Sequence, residues 1–446
     1  MNAVMERYGL KGKPSTGLTM ATWGFFVGFA AVSLFGPVAK NFNDVMHMKG
    51  FLLGLMVAAP NLTGSLLRIP FGAWVDKAGG KKPMLILLAM SIVGMLGLTI
   101  VLYRYYPNHL SMQMYPIVLL FGLLSGCGIA TFSVGIPQTS YWYPQKRQGF
   151  ALGTYGGLGN VAPGLFGIIL PFALGVLGLA ASYLSWFIFL VLGTIIYAVL
   201  AKDAYYFQLR KKDVEEQEAK AAAKELGQEL YPSGNVAEAL KISARVPATW
   251  ALVALYFTSF GGFLALTGWF PTYWTMLHGA GGRAAGLLMA LGFSLLASFV
   301  RVYGGTLSDR MGGEKVAIGG FTLVLVGSLG LISLHSFAAD LISEIIVGAG
   351  MGVSNAAVFK MVPKYVTHAA GGASGWVGGL GAFGGFVVPP ILGLFVQAQG
   401  AKGYSTGFIV YVILAVISIS ISVGLMMRGQ HRDLAAAKTV KKSVKL

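Results

Sequence analysis

The sequence predicts an all-α polytopic membrane protein with twelve transmembrane helices in two pseudo-symmetric six-helix bundles. Hydrophobic residues make up 55% of the 446 residues and charged residues only 11%, whereas a soluble domain carries about 25% charged residues. Apolar runs of about 20 residues, the length that crosses a bilayer, recur along the chain. One long polar stretch near the middle divides these runs into two sets of six.

The twelve predicted spans are separated by short turn-rich or charged segments. Their approximate bounds are residues 18–38, 50–73, 83–103, 112–138, 148–177, 180–201, 247–275, 283–306, 315–335, 340–362, 370–398 and 405–427. We therefore expect an N-terminal bundle over residues 1–201, a linker over 202–246 and a C-terminal bundle with a basic tail over 247–446. In the linker, Glu216 and Lys220 have the i,i+4 spacing that supports a solvated helix.

The basic residues predict the orientation, because lysine and arginine are enriched in cytoplasmic loops. The loops on the side of the linker, together with both tails, hold most of them, including Lys13, Lys77, Lys81, Lys82, Lys146, Arg147, Arg310, Lys315, Lys364 and Lys445. The other loops hold only Lys40, Lys49, Arg104, Arg283 and Lys402. We expect both termini to be cytoplasmic in a plasma (inner) membrane protein. This clustering in loops argues against nucleic acid as the partner of the net charge of +17.

Two arginines inside apolar spans repeat in the two halves. Arg68 lies eight residues before Asp76 in RIPFGAWVDKAGG, and Arg301 lies eight residues before Asp309 in RVYGGTLSDRMGG. Both pairs repeat at the same offset of 233 residues (301−68 and 309−76). A charged side chain costs at least ~2.5–3.5 kcal/mol at the bilayer centre, so such residues usually serve a function.

The arginines are predicted to lie near mid-membrane without a protein counter-ion. At about 1.5 Å per residue, eight residues place each one ~12 Å inside the membrane from its aspartate. None of the 16 acidic residues is expected at that depth. The histidines, which are also expected at span ends or in loops, are His47, His109, His278, His335, His368 and His431. Two unpaired guanidiniums at one depth predict a binding site for an anion.

Further repeats and motifs carry a family resemblance. The loops after spans 2 and 8 resemble the signature loop of the major facilitator superfamily. The segments GTYGGLGN (153–160) and SGWVGGLGAFGGF (374–386) resemble the signature motifs of the nitrate/nitrite porter family, and GAGMGVSNAAVFKMVP (348–363) resembles its span 10. Tyr155 departs from the pattern, because some family members have a second asparagine there. The resemblance covers the whole chain.

The resemblance implies that Phe132, Tyr256 and Phe260 surround a small planar anion held by Arg68 and Arg301. Asn160 is a candidate amide donor to the same anion, with helix bridging as its alternative role. Small residues let membrane helices pack closely, so we expect packing and sliding at Gly156, Gly157, Gly159, Gly378, Gly379 and Gly381. The resemblance also implies that Asp76, Asp309 and Arg310 are conformational latches. No cofactor or metal is expected, and the chain is predicted to work as a monomer in the lipid bilayer.

Transport of nitrate and nitrite by alternating access is the function these observations favour. Two arginines with one monovalent anion leave a net positive charge, and an empty site would leave the arginines repelling each other. Together with the expected absence of buried carboxylates and histidines, this favours exchange over nitrate/proton symport. A carrier of another small anion, such as formate, oxalate or a monocarboxylate, remains an alternative, as does an ion channel. An enzyme is not expected, since no metal-ligand cluster, nucleophile–histidine pair or phosphate loop occurs in the sequence.

Overall fold

A computed structural model describes residues 2–144, 147–232, 236–366 and 370–443, and helices form all the regular structure within them. Lys146, His368 and Lys445, which entered the charge and histidine patterns, lie outside the described residues. The twelve predicted spans are confirmed. Spans 1 to 12 are Pro14–Met46, Gly50–Ala78, Lys81–Tyr105, Met112–Ser140, Phe150–Leu177, Leu179–Leu200, Pro247–His278, Gly282–Met311, Gly313–Ser333, Phe337–Val362, Gly372–Thr406 and Ile409–Arg428.

The signature loops end spans 2 and 8 in the same way. Gly79 follows span 2 with φ +75°, and Gly312 follows span 8 with φ +89°. Only glycine adopts this backbone region readily, and each glycine stops its helix so that the next can begin within two residues. The two loops share this geometry at the same offset as the arginines (312−79 = 233).

Several spans are interrupted near their middle. The helix of span 2 breaks at Leu67, and the helix of span 5 breaks at Asn160. Span 7 contains a π-helical turn over Phe257–Gly261, and span 11 is irregular over 381–383. Discontinuous helices near mid-membrane are typical of the binding sites of secondary transporters. The interruptions therefore mark the level at which a site is expected.

Contacts between the two halves differ on the two sides of the protein. We call the side that carries residues 202–246 the linker side, and the opposite side the far side. On the far side backbones touch: a Cβ at Gly36 would overlap the carbonyl of Gly268, and one at Gly54 would overlap that of Pro389. On the linker side a Cβ at Gly156 would meet nothing within 4 Å. The far side is therefore closed by backbone contacts, whereas on the linker side there is room for a side chain at Gly156.

The linker forms three short helices: Tyr205–Arg210, Glu216–Glu225 and Val236–Ala244. The predicted pair is present, since the Lys220 amine donates to the Glu216 carboxylate at 2.7 Å, and this hydrogen bond lowers the pKa of Glu216. The third helix packs against the start of span 11, where the Trp376 indole donates to the carbonyl of Leu240 at 3.0 Å. The linker thus reaches a span that carries one of the two glycine motifs.

Candidate substrate site

Phe260 lies at the centre of the site, on the π-helical turn of span 7. The guanidinium carbon of Arg68 lies 5.0 Å from the centroid of its ring, and that of Arg301 lies 5.8 Å from the same centroid. Arg68 belongs to span 2 and Arg301 to span 8. One ring therefore brings together the two arginines that the sequence repeat pairs across the two halves.

Several N–H groups of the arginines point into this site without a partner. Arg68 is 1% exposed, and its Nη1 donates to the carbonyl of Gly378 at 3.1 Å. Its Nε and Nη2 are buried without a hydrogen-bond partner, as is Nη1 of Arg301. Neither arginine forms an ion pair with any described residue. Buried donors are nearly always satisfied in folded proteins, so these N–H groups can donate to an anion.

The aromatic side chains hold the arginines rather than leaving a slot between ring faces. Phe132 stacks on Phe260 with ring centroids 5.8 Å apart, and Arg68 lies over both rings, 4.8 Å from that of Phe132. The face of an aromatic ring is electronegative and attracts cations. In this conformation the Arg68 guanidinium therefore lies over the faces of both rings.

Tyr256 and Asn160, which the sequence selected, lie at the same level. The ring of Tyr256 stacks on Phe260 at 5.0 Å, and its buried hydroxyl faces the Arg301 side chain. Asn160 is buried at the break in span 5, and its side-chain oxygen is without a partner. Amide oxygen and nitrogen are assigned from their surroundings, so Asn160 can offer an N–H group to an anion.

Two polar residues beside Arg301, Asn355 and Ser298, were not predicted from the sequence. A small cavity is lined by Asn160, Phe260, Phe263, Ala297, Ser298, Arg301 and Asn355. Asn355 of span 10 is buried, and its side-chain oxygen is unpartnered. Ser298 is bonded to the backbone, donating to the carbonyl of Ser294 at 2.8 Å. Asn355 could have been found, because it lies in the span 10 motif and a polar side chain inside a membrane span often has a function.

The glycines of the two motifs have different surroundings. A Cβ at Gly159 would overlap the ring of Phe25, one at Gly379 would lie 2.6 Å from Ile69, and one at Gly381 would lie 2.7 Å from Tyr256. Gly378 supplies the carbonyl that accepts from Arg68. Gly156 has no neighbour within 4 Å, and Gly157 only Val302 at 3.9 Å. The close packing expected at Gly156 is not seen among the described residues, whereas a Cβ at Gly157 would reach ordinary contact with Val302 of span 8.

Tyr155, the departure from the family pattern, is buried behind Phe132. Its hydroxyl donates to the backbone carbonyl of Phe132 at 2.8 Å, and its ring packs on Phe25 at 5.1 Å. A second asparagine at this position would be too short to fill this space. Tyr155 therefore supports the ring under Arg68 from behind.

The candidate latch residues are paired within their own halves. The Tyr141 hydroxyl of the N-terminal half donates to Asp76 at 2.5 Å, and Lys360 of span 10 pairs with Asp309. Arg310 forms no ion pair with a described residue, so an ionic latch at Arg310 is not seen in this conformation. Its side chain is exposed and the charge is solvated. The two aspartates have no contact that would hold the halves together here.

The expected absence of buried carboxylates is wrong, whereas His278 is only partly buried and lies at a span end, as expected. Asp340 and Glu344 of span 10 are both 0% exposed, and His278 at the end of span 7 lies 2.7 Å from Asp340. The two carboxylates lie toward the far side, as the sequence predicted, but tertiary packing encloses them. Position along a span does not determine burial, because neighbouring helices decide whether water reaches a span end.

A protein with two six-helix halves, helices broken at mid-membrane and a central buried charged site has the architecture of a secondary transporter. The Major Facilitator Superfamily model matches residues 21–389 and 278–445. The fold agrees: the xylose transporter XylE from E. coli, described as partially occluded and inward open, superposes with a TM-score of 0.69 over 93% of this chain and 99% of that chain, at 13% identity.

The curated relatives indicate a narrower family within this superfamily. The chain is 30% identical to the probable nitrate/nitrite antiporter NarK1 of Thermus thermophilus, over 90% of this chain and 89% of the relative. It is 29% identical to the probable nitrate/nitrite transporter NarK2 of Mycobacterium tuberculosis, over 90% and 94%, and 25% identical to the nitrite extrusion protein of Bacillus subtilis, over 88% and 89%. The chain belongs to the major facilitator superfamily and, within it, to the nitrate/nitrite porter family.

Proposed function

We propose that this protein carries nitrate and nitrite across the membrane by alternating access and exchanges one anion for another. The observation that carries the proposal is the convergence of Arg68 and Arg301 on Phe260 with three buried N–H positions unpartnered. Arginine recognises planar oxyanions through paired N–H groups, which lysine cannot reproduce. The names of the relatives support the same substrate class.

Electrostatics gives the reason for exchange. Two guanidiniums and one monovalent anion leave a net charge of +1, whereas the empty site holds two like charges in a poorly polarisable environment. Closing around the empty site is therefore costly, and a returning anion removes that cost. Exchange is supported by this electrostatic argument alone. The expected absence of buried carboxylates no longer supports it, because Asp340 and Glu344 are buried. Nitrate/proton symport is the second candidate, and the fully buried Glu344 favours it.

We propose that the linker side is cytoplasmic and that the chain works as a monomer in the plasma (inner) membrane. Most basic loop residues lie on the linker side, in agreement with the enrichment of lysine and arginine in cytoplasmic loops. Residues 1–201 and 247–446 act as the two rocking halves, with the described part of residues 202–246 joining them. In this assignment the far-side contacts close the exterior, and the anion leaves or enters from the cytoplasm.

Counterflow in proteoliposomes tests the exchange proposal. Vesicles loaded with nitrite are expected to take up labelled nitrate faster than empty vesicles, with the pH equal on both sides. Equally fast uptake into empty vesicles that follows an imposed pH gradient would instead support proton symport. Formate and oxalate are added as competitors at the same concentration. If either displaces labelled nitrate as effectively as nitrite does, the assignment to nitrate and nitrite is wrong.

A further inference from the structure

A cluster of titratable side chains outside the substrate site joins span 7 to span 10 on the far side. We call it the carboxylate cluster; it consists of Tyr273, Trp274, His278, Asp340 and Glu344. The Tyr273 hydroxyl donates to Oδ2 of Asp340 at 2.6 Å, and the His278 ring nitrogen lies 2.7 Å from the same oxygen. The Trp274 indole donates to Oε2 of Glu344 at 2.8 Å. The proposed transport cycle leaves all five residues without a role.

The two carboxylates differ in what balances their charge. Asp340 lies in the first turn of its helix, where the helix dipole favours a negative charge, and it has His278 as an ionisable partner. Glu344 lies one turn further along, and its neutral donor Trp274 brings no positive charge. Its other oxygen, Oε1, is buried without a partner. Opposite it, span 8 presents Gly292, whose Cβ position lies 3.3 Å from the Glu344 carboxylate.

The surroundings of Glu344 therefore suit the neutral acid. A buried carboxylate without a cation costs several kcal/mol in its charged form, and a charged Asp340 four residues away on the same helix face adds repulsion. Among the described residues, the ionisable groups facing the two acids are Tyr273 and His278 of span 7, and both bond Asp340. Glu344 thus holds a proton as long as water is kept out.

Span 7 connects this cluster to the closed far side. Gly268, six residues before Trp274, touches Gly36 of span 1 by backbone-to-backbone packing. The same helix thus forms the contact between the halves and covers Glu344. A charge on Glu344 needs water, and water reaches it when span 7 moves away from span 10 or from span 1.

We propose that Glu344, supported by the other residues of the carboxylate cluster, is a proton-binding site that controls the opening of the far side. This inference builds on the alternating access proposed above. The closed state binds one more proton than the open state, so a lower pH on the far side favours closure and a higher pH favours opening. Loss of the proton leaves a carboxylate that the closed packing cannot solvate.

Thiol labelling in proteoliposomes measures the opening directly. Cys127, the single cysteine, is buried, and Cys127→Ser gives a cysteine-free background. Leu53→Cys reports opening, because Leu53 is buried in the cleft between the halves on the far side. Met112→Cys, at the exposed far-side start of span 4, corrects for the effect of pH on thiol chemistry. A membrane-impermeant maleimide is applied, and the ratio of labelling at position 53 to that at position 112 is measured.

The labelling ratio is expected to rise at least about threefold between about pH 5.5 and about pH 8 as the proton is lost. Glu344→Gln, which mimics the neutral acid, is expected to keep the ratio low throughout. Glu314→Gln is the matched control, because Glu314 is a buried glutamate on the linker side that pairs with Lys364 at 2.6 Å; it should leave the rise intact. Trp274→Phe removes the donor that helps the closed packing hold the charged form, and is expected to make the rise larger.

The proton-site proposal is wrong if the labelling ratio does not change with pH in the protein that retains Glu344. It is also wrong if Glu344→Gln leaves the pH-dependent rise unchanged. Counterflow in the same vesicles separates this result from the function proposal. Nitrate exchange with a pH-insensitive labelling ratio rejects the proton site and leaves the anion carrier standing. A pH-dependent ratio that Glu344→Gln abolishes, in a protein that exchanges other anions but not nitrate, rejects the substrate and supports the proton site.

Discussion

Arg68 and Arg301 occupy equivalent positions in the two halves, yet their surroundings differ. Arg68 is buried, lies over two rings and donates to the carbonyl of Gly378 in the opposite half. Arg301 is half-buried and lies over one ring, that of Phe260. The repeat thus determines where the charges are, and the contacts between the halves make one of them more constrained than the other.

The difference gives the two arginines different tasks in the proposed cycle. The bond from Arg68 to Gly378 joins span 2 to span 11, so it must break when these spans separate. An anion that accepts from Arg68 competes with this carbonyl or uses the free Nε and Nη2. Arg301 lies beside the small cavity with Asn160 and Asn355 and can adjust to the anion at lower cost. In the proposed cycle Arg68 would act as both a ligand and a gate, and Arg301 chiefly as a ligand.

The largest expected effect is the loss of transport when either arginine becomes lysine. Each change removes a charge-assisted hydrogen-bond pair of about 3 kcal/mol, which corresponds to about a 100-fold lower rate of nitrate counterflow. Arg68→Lys is expected to lose more than Arg301→Lys, because it also loses the contact with Gly378. Arg104→Lys, at an exposed span end, is the control. Rates close to that of the unmodified protein in both variants would remove the arginines from the site.

An intermediate effect is expected at Phe260, the ring that both arginines share. Phe260→Leu removes two cation–π contacts worth about 0.5–2 kcal/mol each and should lower the counterflow rate about tenfold. Phe299→Leu, at a lipid-facing position of span 8, should leave the rate unchanged. If Phe260→Leu transports as well as Phe299→Leu does, the two arginines do not depend on this ring for their placement.

The smallest effect is expected at two glycines of span 5. Gly159 lies on the side of Arg68, and Gly157 lies on the side of Arg301. Gly159 packs on Phe25, whose ring lies 5.2 Å from that of Phe132 under Arg68, whereas Gly157 faces Val302 next to Arg301. Gly159→Ala overpacks this layer and should destabilise the protein by about 1–3 kcal/mol, seen as a lower melting temperature in detergent. Gly157→Ala has room in this conformation and should melt normally. Equal melting temperatures of the two variants would show that the side chains around Phe25 accommodate the added methyl group without loss of stability.

Much of the fold and part of the site could be predicted from the sequence. The spans followed from apolar length, and the arginines followed from their charge in apolar runs and from the repeat. The carboxylate cluster was not predicted, because its importance depends on which neighbour lies opposite, and Asn355 was overlooked although it lies in the span 10 motif. Asp340 and Glu344 were placed correctly along span 10, but only span 7 shows that they are buried. The sequence selected the aromatic residues, but only packing shows that the Arg68 guanidinium lies over the rings of Phe132 and Phe260.

The sequence by itself determined the twelve spans, the division into two halves and the pairing of Arg68 with Arg301, because hydropathy, charge and repeats are properties of order along the chain. The tertiary structure decided that the far side is closed, that Arg68 bridges the halves and that Glu344 lacks a cationic partner. These features depend on distances between residues far apart in the chain, such as Arg68 and Gly378, which helix packing alone brings within hydrogen-bonding range.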